Sequence, residues 1–527
     1  MNKITLLAAL AFSASVVFAQ KQAPQNWFHL DPKQDKYNGV SSDRAYNELL
    51  KGKQGKTVIV AVIDGGTEVN HADLKDIIWV NQKEIPGNGI DDDRNGYTDD
   101  INGWNFIGGA EKNVAEDNLE VTRLYKELST KFKTADTVGL EGREKELFEL
   151  YKKVKTEYLQ NFNQYTMLKG VYSSLSKGLK GLAAKMGKDE VTEADLKAYQ
   201  TTDASENMAV QAILRAVKGK KNAKVKISEV AKQIDDGKEQ ISKFVDFHYN
   251  TELDARSAVG DNYENVNERY YGNNRVSSPN GEHGTHVAGI IAAIRNNNIG
   301  MNGVADQVKI MVLRVVPDGD ERDKDVANAI KYAVDNGASV INMSFGKSFS
   351  PNKGIVDEAV RYALSKDVLL VHGAGNDSKD IDVENNFPNK KMDSYSGENW
   401  LEVGASSWEK KKQIPAVFSN FGASNVDVFA PGVAIYSCIP ESNYASYDGT
   451  SMASPVTAGV AAVIRSYFPH LKAGQVKEII KKSAIPVKRK VYVPGTKKKV
   501  KMKQLCDSGG IVNLYEAVKL AETYPKK

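Results

Sequence analysis

Three side chains that lie far apart in the chain place the strongest constraint on its fold. They are Asp64 in the sequence VAVIDGG, His283 in HGTHVAG and Ser451 in GTSMASP. A serine hydroxyl attacks at neutral pH only if an adjacent imidazole takes its proton and a buried carboxylate orients that imidazole. A fold that uses this chemistry has to bring residues 64, 283 and 451 together.

Each of these residues has neighbours that suit this role. Asp64 follows the apolar run 58–63, which is typical of a buried parallel strand. His283 and Ser451 each open a stretch of small residues that favours a helix. Ser454 is a rival nucleophile, but the start of a helix is where a hydroxyl and a free backbone N–H face the same cleft. Ser451 is therefore the predicted nucleophile.

The order Asp, His, Ser along the chain is that of subtilisin. On these motifs the chain resembles the subtilase family of serine peptidases over roughly residues 55–106 and 276–485. One position departs from the family pattern, because Gly65 stands where the family usually has Ser or Thr. A hydroxyl at that position supports the carboxylate, so the environment of Asp64 is expected to differ here.

Two further segments carry the resemblance, VHGAGND at residues 371–377 and VINMSFG at residues 340–346. The resemblance implies that the side-chain amide of Asn376 binds the oxyanion of the tetrahedral intermediate, together with the backbone N–H of Ser451. One such donor is worth roughly 3–4 kcal/mol of transition-state stabilisation. The second segment is similar to the edge that binds the substrate main chain, which consists of Ser344, Phe345 and Gly346.

Apolar runs alternate with amphipathic segments in the rest of the chain. Strands are predicted near residues 57–63, 308–316, 339–343, 367–372, 400–406, 426–430 and 433–438. Helices are predicted near residues 283–294, 323–336 and 353–365, between these strands. This alternation predicts an α/β fold with a doubly wound, mostly parallel sheet and helices on both faces. Catalytic residues gather at the carboxyl ends of the strands in such a fold.

A long insertion separates the first two motifs. Asp64 and His283 lie 219 positions apart, whereas a few tens of residues separate them in compact subtilases. We therefore predict a signal peptide over residues 1–19, an N-terminal extension over 20–55, a subtilisin-like catalytic domain over 56–106 and 276–527, and an α-helical insertion over 107–275.

Helical periodicity supports the predicted insertion. Apolar residues recur at helical spacing in two stripes, which are Val121, Leu124, Tyr125, Leu128 and Phe132, and Leu147, Leu150, Tyr151, Val154 and Tyr158. These stripes predict two antiparallel helices, and further helices are expected over 192–199, 207–217 and 228–247. Three roles for the insertion remain open: restricting access to the cleft, replacing a conventional pro-domain, or docking a partner.

The N-terminus predicts export. Lys3, the apolar stretch 4–17 and the small residues before Gln20 form a signal peptide cleaved after Ala19. The mature protein is then expected in a periplasm or outside the cell. No later segment has the length and apolarity of a membrane-spanning helix. Cys438 and Cys506 either form one disulfide or remain two buried thiols, since sequence does not show whether they approach each other.

Composition narrows the partners. A formal net charge of +4 over 527 residues gives no argument for nucleic-acid binding. Hydrophobic residues make up 41% of the chain and charged residues 26%, as in a soluble globular protein. We expect a monomer whose partners are protein or peptide substrates.

An acidic loop follows the first motif, with the sequence NGIDDDRNGYTDD at residues 88–100. Asp91, Asp93 and Asn95 place oxygen ligands at alternate positions before a glycine, as in the first half of a calcium-binding loop. Asp99 or Asp100 would complete the shell. The prediction is a structural Ca²⁺ site, against the alternative of a solvated acidic loop, and no cofactor for catalysis.

Together these features predict an exported serine endopeptidase that works through Asp64, His283 and Ser451 and an acyl-enzyme intermediate. The alternatives are a catalytically silent protein that docks a partner through the helical insertion, and a maturation protease specific for one partner. The silent alternative does not require that the triad and Asn376 all be present, and they are.

Overall fold

The computed structural model describes residues 23–133, 139–218, 223–278, 281–409 and 413–525. These residues form two compact units. The α/β unit comprises Ala23–Glu120 and the chain from Asp254 onward, and the helical unit comprises Val121–Leu253. The predicted signal peptide, residues 1–19, lies outside the described residues. Within the described ranges, no helix is long and apolar enough to cross a membrane.

The strands are numbered in chain order. They are β1 (Val58–Asp64), β2 (Gly103–Asn105), β3 (Glu190–Thr192), β4 (Lys224–Lys226), β5 (Val308–Arg314), β6 (Val340–Met343), β7 (Leu369–Gly373), β8 (Trp400–Ser406), β9 (Val428–Pro431), β10 (Ile435–Ile439), β11 (Asn443–Tyr447), β12 (Ile485–Pro486), β13 (Val491–Tyr492), β14 (Lys499–Val500) and β15 (Gly510–Ile511).

The α-helices are numbered in the same way. They are α1 (Ser42–Arg44), α2 (Glu120–Lys131), α3 (Gly142–Met186), α4 (Glu193–Ala198), α5 (Ala204–Val217), α6 (Ile227–Lys243), α7 (Glu282–Ala292), α8 (Asp323–Asp335), α9 (Lys353–Ser365), α10 (Thr450–Tyr467), α11 (Ala473–Ser483) and α12 (Leu514–Ala521).

A nine-stranded sheet forms the centre of the α/β unit. Its strand order is β12-β15-β9-β8-β7-β6-β1-β5-β2. The pairs from β9 to β2 are parallel, as is the pair β15-β9, and β12 alone among these strands is antiparallel to its neighbour. The predicted α/β fold with a mostly parallel sheet is confirmed.

Helices cover both faces of this sheet because the buried strands are apolar on both sides. In β1, Val60 and Val62 face a cluster that includes residues of α7 and α10. Ala61 and Ile63 face the opposite cluster, which includes residues of α8 and α9. Side chains alternate across a strand, so a strand buried on both faces is continuously apolar. That is the pattern of residues 58–63.

The predicted N-terminal extension belongs to the α/β unit from residue 23 onward. Trp27 is fully buried, and its indole N–H donates to the carbonyl groups of Val433 and Ala434 at 3.1 Å. The backbone N–H of Leu514 donates to the Val40 carbonyl at 2.7 Å. These bonds join the first described residues to the end of the chain.

The helical unit has its own core. Tyr125 of α2 stacks on Tyr158 of α3 with ring centroids 4.1 Å apart, and Phe132 lies 5.6 Å from Tyr151. The residue numbers run in opposite directions, so the two predicted stripes do pack as antiparallel helices. α3 continues over 45 residues, well beyond its predicted stripe, and packs against α5 and α6. Thr192 forms the N-terminal capping box of α4.

The helical unit is shorter than the predicted insertion over residues 107–275. Residues 107–120 and 254–275 belong to the α/β unit, because buried ion pairs join them to α8 and the residue before it. Arg322 donates to the Asp117 carboxylate at 2.8 Å, and Arg256 donates to Asp325 at 2.7 Å. Helical periodicity carries no information about such pairs.

Both cysteines are buried free thiols. Cys438 belongs to the core cluster on the α7 and α10 face, and Cys506 belongs to a separate cluster near β13 and β14. Of the two possibilities that the sequence leaves open, the structure has the separate thiols.

Candidate active site

The sheet order brings three motif segments to one edge. Asp64 is the last residue of β1, Ser344 follows β6, and Asn376 lies three residues after β7. The strands β1, β6 and β7 are neighbours and parallel, so their carboxyl ends meet at the same edge. His283 and Ser451 come to this edge from the first turns of α7 and α10.

Asp64 and His283 form a closed hydrogen-bonded pair. His283 Nδ1 lies 2.8 Å from Asp64 Oδ1 and 2.9 Å from Oδ2. The carboxylate is buried and also accepts a bond from the Gly65 backbone N–H at 2.7 Å. A carboxylate accepts only, so Nδ1 carries the proton and Nε2 is left as the basic nitrogen.

The charge of Asp64 favours the protonated imidazole. Burial opposes protonation of His283, but the charge and hydrogen bond of Asp64, assisted by the charge of Glu282, raise the pKa of His283 above its ordinary value. Burial is the largest single contribution, but the charge and hydrogen bond of Asp64 and the charge of Glu282 together exceed it. The pair is therefore able to accept a proton during a reaction and to hold it.

Ser451 lies in the first turn of α10. Its hydroxyl donates to the Ser344 carbonyl at 3.1 Å, and Ser344 lines the same cleft as His283. The backbone N–H of Ser451 belongs to the first helical turn, where N–H groups have no partner within the helix. The rival Ser454 is fully buried and donates to Asn342 Oδ1 at 2.8 Å. Ser451 is thus half-buried with its hydroxyl bonded to a residue of the cleft, whereas Ser454 is fully buried.

Asn376 is held by its oxygen. Its Oδ1 accepts from the Thr450 backbone N–H at 2.9 Å and from the Thr450 hydroxyl at 3.0 Å. With the oxygen fixed, the amide NH₂ points away from Thr450, and it forms no hydrogen bond within the described residues. The two N–H bonds of this amide are therefore not used within the described residues.

The cleft holds about 500 Å³ and has acidic and aromatic walls. Its lining residues are Asp64, Gly65, Glu282, His283, Val316, Pro317, Asp318, Ser344, Phe345 and Tyr447. Of the predicted substrate-binding residues, Ser344 and Phe345 line it, and Gly346 follows them as an exposed residue. The Tyr447 hydroxyl donates to the Glu282 carboxylate on one wall.

Arg314 supports the loop after Asp64, a role that no motif in the sequence predicts. It is the register partner of Asp64 across β1 and β5. Its guanidinium is buried and donates to the Gly65 carbonyl at 3.0 Å and to the Val114 carbonyl at 2.6 Å. Burial lowers the pKa of Arg314 to about 10. This support acts on the residue that replaces the usual Ser or Thr.

The acidic loop forms a carboxylate cluster. Glu84, Asp91 and Asp93 each offer an oxygen, and these atoms lie within 4.8 Å of one another. Asp91 and Asp93 belong to the predicted set, whereas Glu84 does not. The predicted ligand Asn95 donates its side-chain amide to Asp100 at 2.9 Å. The two carboxylate oxygens of Asp99, also predicted as a ligand, accept backbone N–H groups at 2.7 and 2.9 Å.

Comparisons with known proteins agree on one protein family. The profile of the subtilase family matches residues 55–509. Thermitase of Thermoactinomyces vulgaris is 43% identical over 185 residues, which are 35% of this chain and 61% of thermitase. A thermophilic serine proteinase of Bacillus sp. (strain AK1) is 42% identical over 185 residues, which are 35% of this chain and 42% of that protein.

Subtilisin DY of Bacillus licheniformis is 37% identical over 203 residues, which are 38% of this chain and 70% of subtilisin DY. The chain thus spans less than two thirds of the length of thermitase and of the strain AK1 proteinase.

Proposed function

Because the chain belongs to the subtilase family of peptidases, we propose that it is a serine endopeptidase. The observation that carries the proposal is the hydrogen bond from His283 Nδ1 to the buried Asp64 carboxylate. Both residues line a cleft that Ser344 also lines, and the Ser344 carbonyl accepts the hydrogen bond of the Ser451 hydroxyl. This arrangement supplies a base, a fixed tautomer and a nucleophile.

In the proposed first step, the Ser451 hydroxyl turns from the Ser344 carbonyl towards His283 and attacks the scissile carbonyl carbon. Nε2 of His283 takes the hydroxyl proton, and Asp64 stabilises the imidazolium that results. The negative charge moves to the carbonyl oxygen, where the amide of Asn376 and the Ser451 backbone N–H bind it.

In the second step, the tetrahedral intermediate collapses and the C–N bond breaks. The proton on His283 Nε2 passes to the leaving amine, and the acyl group remains on Ser451. A water molecule then gives a proton to Nε2 and attacks the ester. As the bond from the acyl carbon to the Ser451 oxygen breaks, that proton passes from Nε2 to the Ser451 oxygen and the acid leaves. The enzyme ends in its starting protonation state.

Substrates in this proposal are proteins or peptides bound in extended form against residues 344–346. The enzyme acts as a monomer after export to a periplasm or out of the cell, which the N-terminal sequence supports. Its activity is either broad or directed at one partner. Both cases use the same catalytic residues, so these residues do not distinguish them. The role of the helical unit stays a prediction.

We propose that Ca²⁺ binds the acidic loop and stabilises it. Glu84, Asp91 and Asp93 supply hard oxygen atoms close enough together to share one cation, which fits the ligands that Ca²⁺ prefers. Carboxylates this close repel one another when no cation lies between them. No catalytic step above passes through the metal.

Labelling with a fluorophosphonate serine probe tests the proposal. The purified mature chain should be labelled at one serine, and Ser451→Ala should abolish labelling. Ser454→Ala is the matched control, because Ser454 lies one helical turn along α10 and is buried away from the cleft. Labelling that survives in Ser451→Ala, or that disappears only in Ser454→Ala, would contradict the assignment of the nucleophile. A folded chain that does not label would favour the silent, partner-docking alternative.

A further inference from the structure

A second imidazole–carboxylate pair lies buried in the sheet, away from His283. His372 of β7 and Glu402 of β8 are register partners, so their side chains lie on the same face of the sheet. His372 Nδ1 lies 2.9 Å from Glu402 Oε1. The imidazole is fully buried and the glutamate is 3% exposed.

This pair is part of a longer chain of hydrogen bonds. At one end, the Trp400 indole N–H donates to Glu402 Oε2 at 2.7 Å. At the other end, His372 Nε2 lies 2.8 Å from the backbone carbonyl of Phe345. The chain of bonds therefore ends on residues 344–346, the segment proposed to bind the substrate main chain.

The neighbours of Phe345 are fixed by other contacts. The Ser344 hydroxyl accepts from the Asn342 side-chain amide and donates to the Ser451 carbonyl, both at 3.0 Å. Beyond the segment, the Lys347 backbone N–H donates to the Phe387 carbonyl at 3.0 Å. His372 supports the point between these two attachments, so its loss would free the middle of the segment and leave Ser344 in place.

The two bonds of His372 require two protons. The Phe345 carbonyl can only accept, so Nε2 must carry a proton. The contact between Nδ1 and Glu402 Oε1 needs a second proton, whichever of the two atoms holds it. If one proton leaves, one of these buried contacts becomes a contact between two lone pairs, which is costly where water is excluded. Loss of one proton therefore costs His372 one of its two contacts.

We propose that His372, held by Glu402, is a positioning residue that fixes the Phe345 carbonyl, and with it residues 344–346, only while the pair carries two protons. The inference rests on the proposed peptidase function for its effect on substrate, but not for the protonation state itself. Its consequence is a substrate affinity that weakens at alkaline pH while the triad stays intact.

The charges around the pair set the direction of this effect. Burial opposes protonation of His372, but the charge and hydrogen bond of Glu402 on β8, then the Phe345 carbonyl and the charge of Glu321 before α8, raise its pKa above the ordinary value. The rings of Trp400 and Phe345, with centroids 5.3 and 6.3 Å from the imidazole, add no formal charge. A raised pKa extends the two-proton state to higher pH than an ordinary imidazole would keep it, and the state is lost as the pH rises through that pKa.

Steady-state kinetics on fluorescein-labelled casein test the proposal. For the wild-type chain, the apparent KM should rise by about tenfold from neutral to alkaline pH, the worth of one hydrogen bond to a charged group, while kcat changes little. His372→Ala should show the high KM at every pH. His29→Gln is the control, because His29 is also buried and its Nε2 also bonds a backbone carbonyl, that of Asn302.

Glu402→Gln is the decisive variant. The glutamine oxygen can accept from Trp400, and its NH₂ can donate to His372 Nδ1. The remaining ring proton then stays on Nε2 at every pH, so the bond to Phe345 persists. KM should stay low into the alkaline range in this variant. An alkaline rise in KM that equals that of the wild type, or a wild-type KM that does not vary with pH, would overturn the proposal.

A measurement without turnover separates this inference from the proposed function. In full-length Ser451→Ala labelled with ¹⁵N-histidine, both ring nitrogens of His372 should be protonated or share a proton at neutral pH. The His372 signals are identified by their absence in the His372→Ala double variant. A bare Nε2 at neutral pH refutes the inference even if the enzyme is active. Two protonated positions support it even if the wild type does not cleave casein.

Discussion

Replacing Asn376 with alanine gives the sharpest test of how the site would stabilise charge. The structure fixes Oδ1 of Asn376 on the backbone N–H and hydroxyl of Thr450, so the amide NH₂ points away from Thr450. The variant removes that donor and leaves the Ser451 backbone N–H as the other. Asn376 itself is exposed, so little packing is lost.

The expected loss follows from one hydrogen bond to a developing oxyanion. Such a donor is worth about 3–4 kcal/mol in the transition state, and each 1.36 kcal/mol is a factor of ten, so kcat should fall by about 10²–10³. KM should change little, because the oxygen carries its charge only after attack. Thr450 loses an acceptor for its buried N–H, which costs about 1–3 kcal/mol of unfolding free energy and should appear as a lower Tm.

The assay is steady-state hydrolysis of labelled casein beside thermal unfolding of the same samples. Asn336→Ala is the control, because it removes the same amide side chain at the end of α8, outside the cleft, where the NH₂ donates to the Tyr332 carbonyl. The control should keep kcat. A kcat for Asn376→Ala within threefold of wild type, or a loss confined to KM, would refute the assigned role of this amide.

Three other perturbations have defined outcomes. Glu282→Gln removes a charge that raises the pKa of His283, so the acidic limb of kcat/KM should move to lower pH; a limb that stays in place contradicts this electrostatic account. Calcium added after chelation should raise Tm. The gain in unfolding free energy should reach about 2.7 kcal/mol when the Ca²⁺ concentration is a hundredfold above Kd. Glu84→Gln should abolish that response. Asp92→Asn should retain it, because Asp92 lies outside the carboxylate cluster and its Oδ2 accepts the Ile85 backbone N–H. Trp27→Ala should cost about 3–5 kcal/mol in urea unfolding, and an unchanged midpoint would mean that its burial contributes nothing.

The predicted fold and family are confirmed because their signals are local. The apolar run 58–63 predicts a strand buried on both faces, and β1 is such a strand ending at Asp64. The two apolar stripes of the insertion likewise appear on packed antiparallel helices, since helical spacing alone places those residues on one face. The motif around Ser451 begins a helix, as its small residues indicate.

Features made by long-range pairing were not predictable in this way. His372 meets Glu402 through the register of β7 on β8, and Arg314 meets Gly65 through the register of β5 on β1. Neither register can be read from periodicity. Glu84 reaches the acidic cluster from before the loop, outside the spacing of a calcium motif.

The attachment of the first described residues has a consequence for processing of the chain. Removal of residues 23–50 would expose the surface against which Trp27 packs. It would also break the hydrogen bond from the Leu514 backbone N–H to the Val40 carbonyl. Autocatalytic cleavage within this segment would therefore lose buried apolar surface and paired backbone groups, and it would lower the stability of the protein. Cleavage within this segment would leave a less stable enzyme than cleavage before it. We therefore expect residues 23–50 to persist in the active protein, and its stable N-terminus to lie upstream of Trp27.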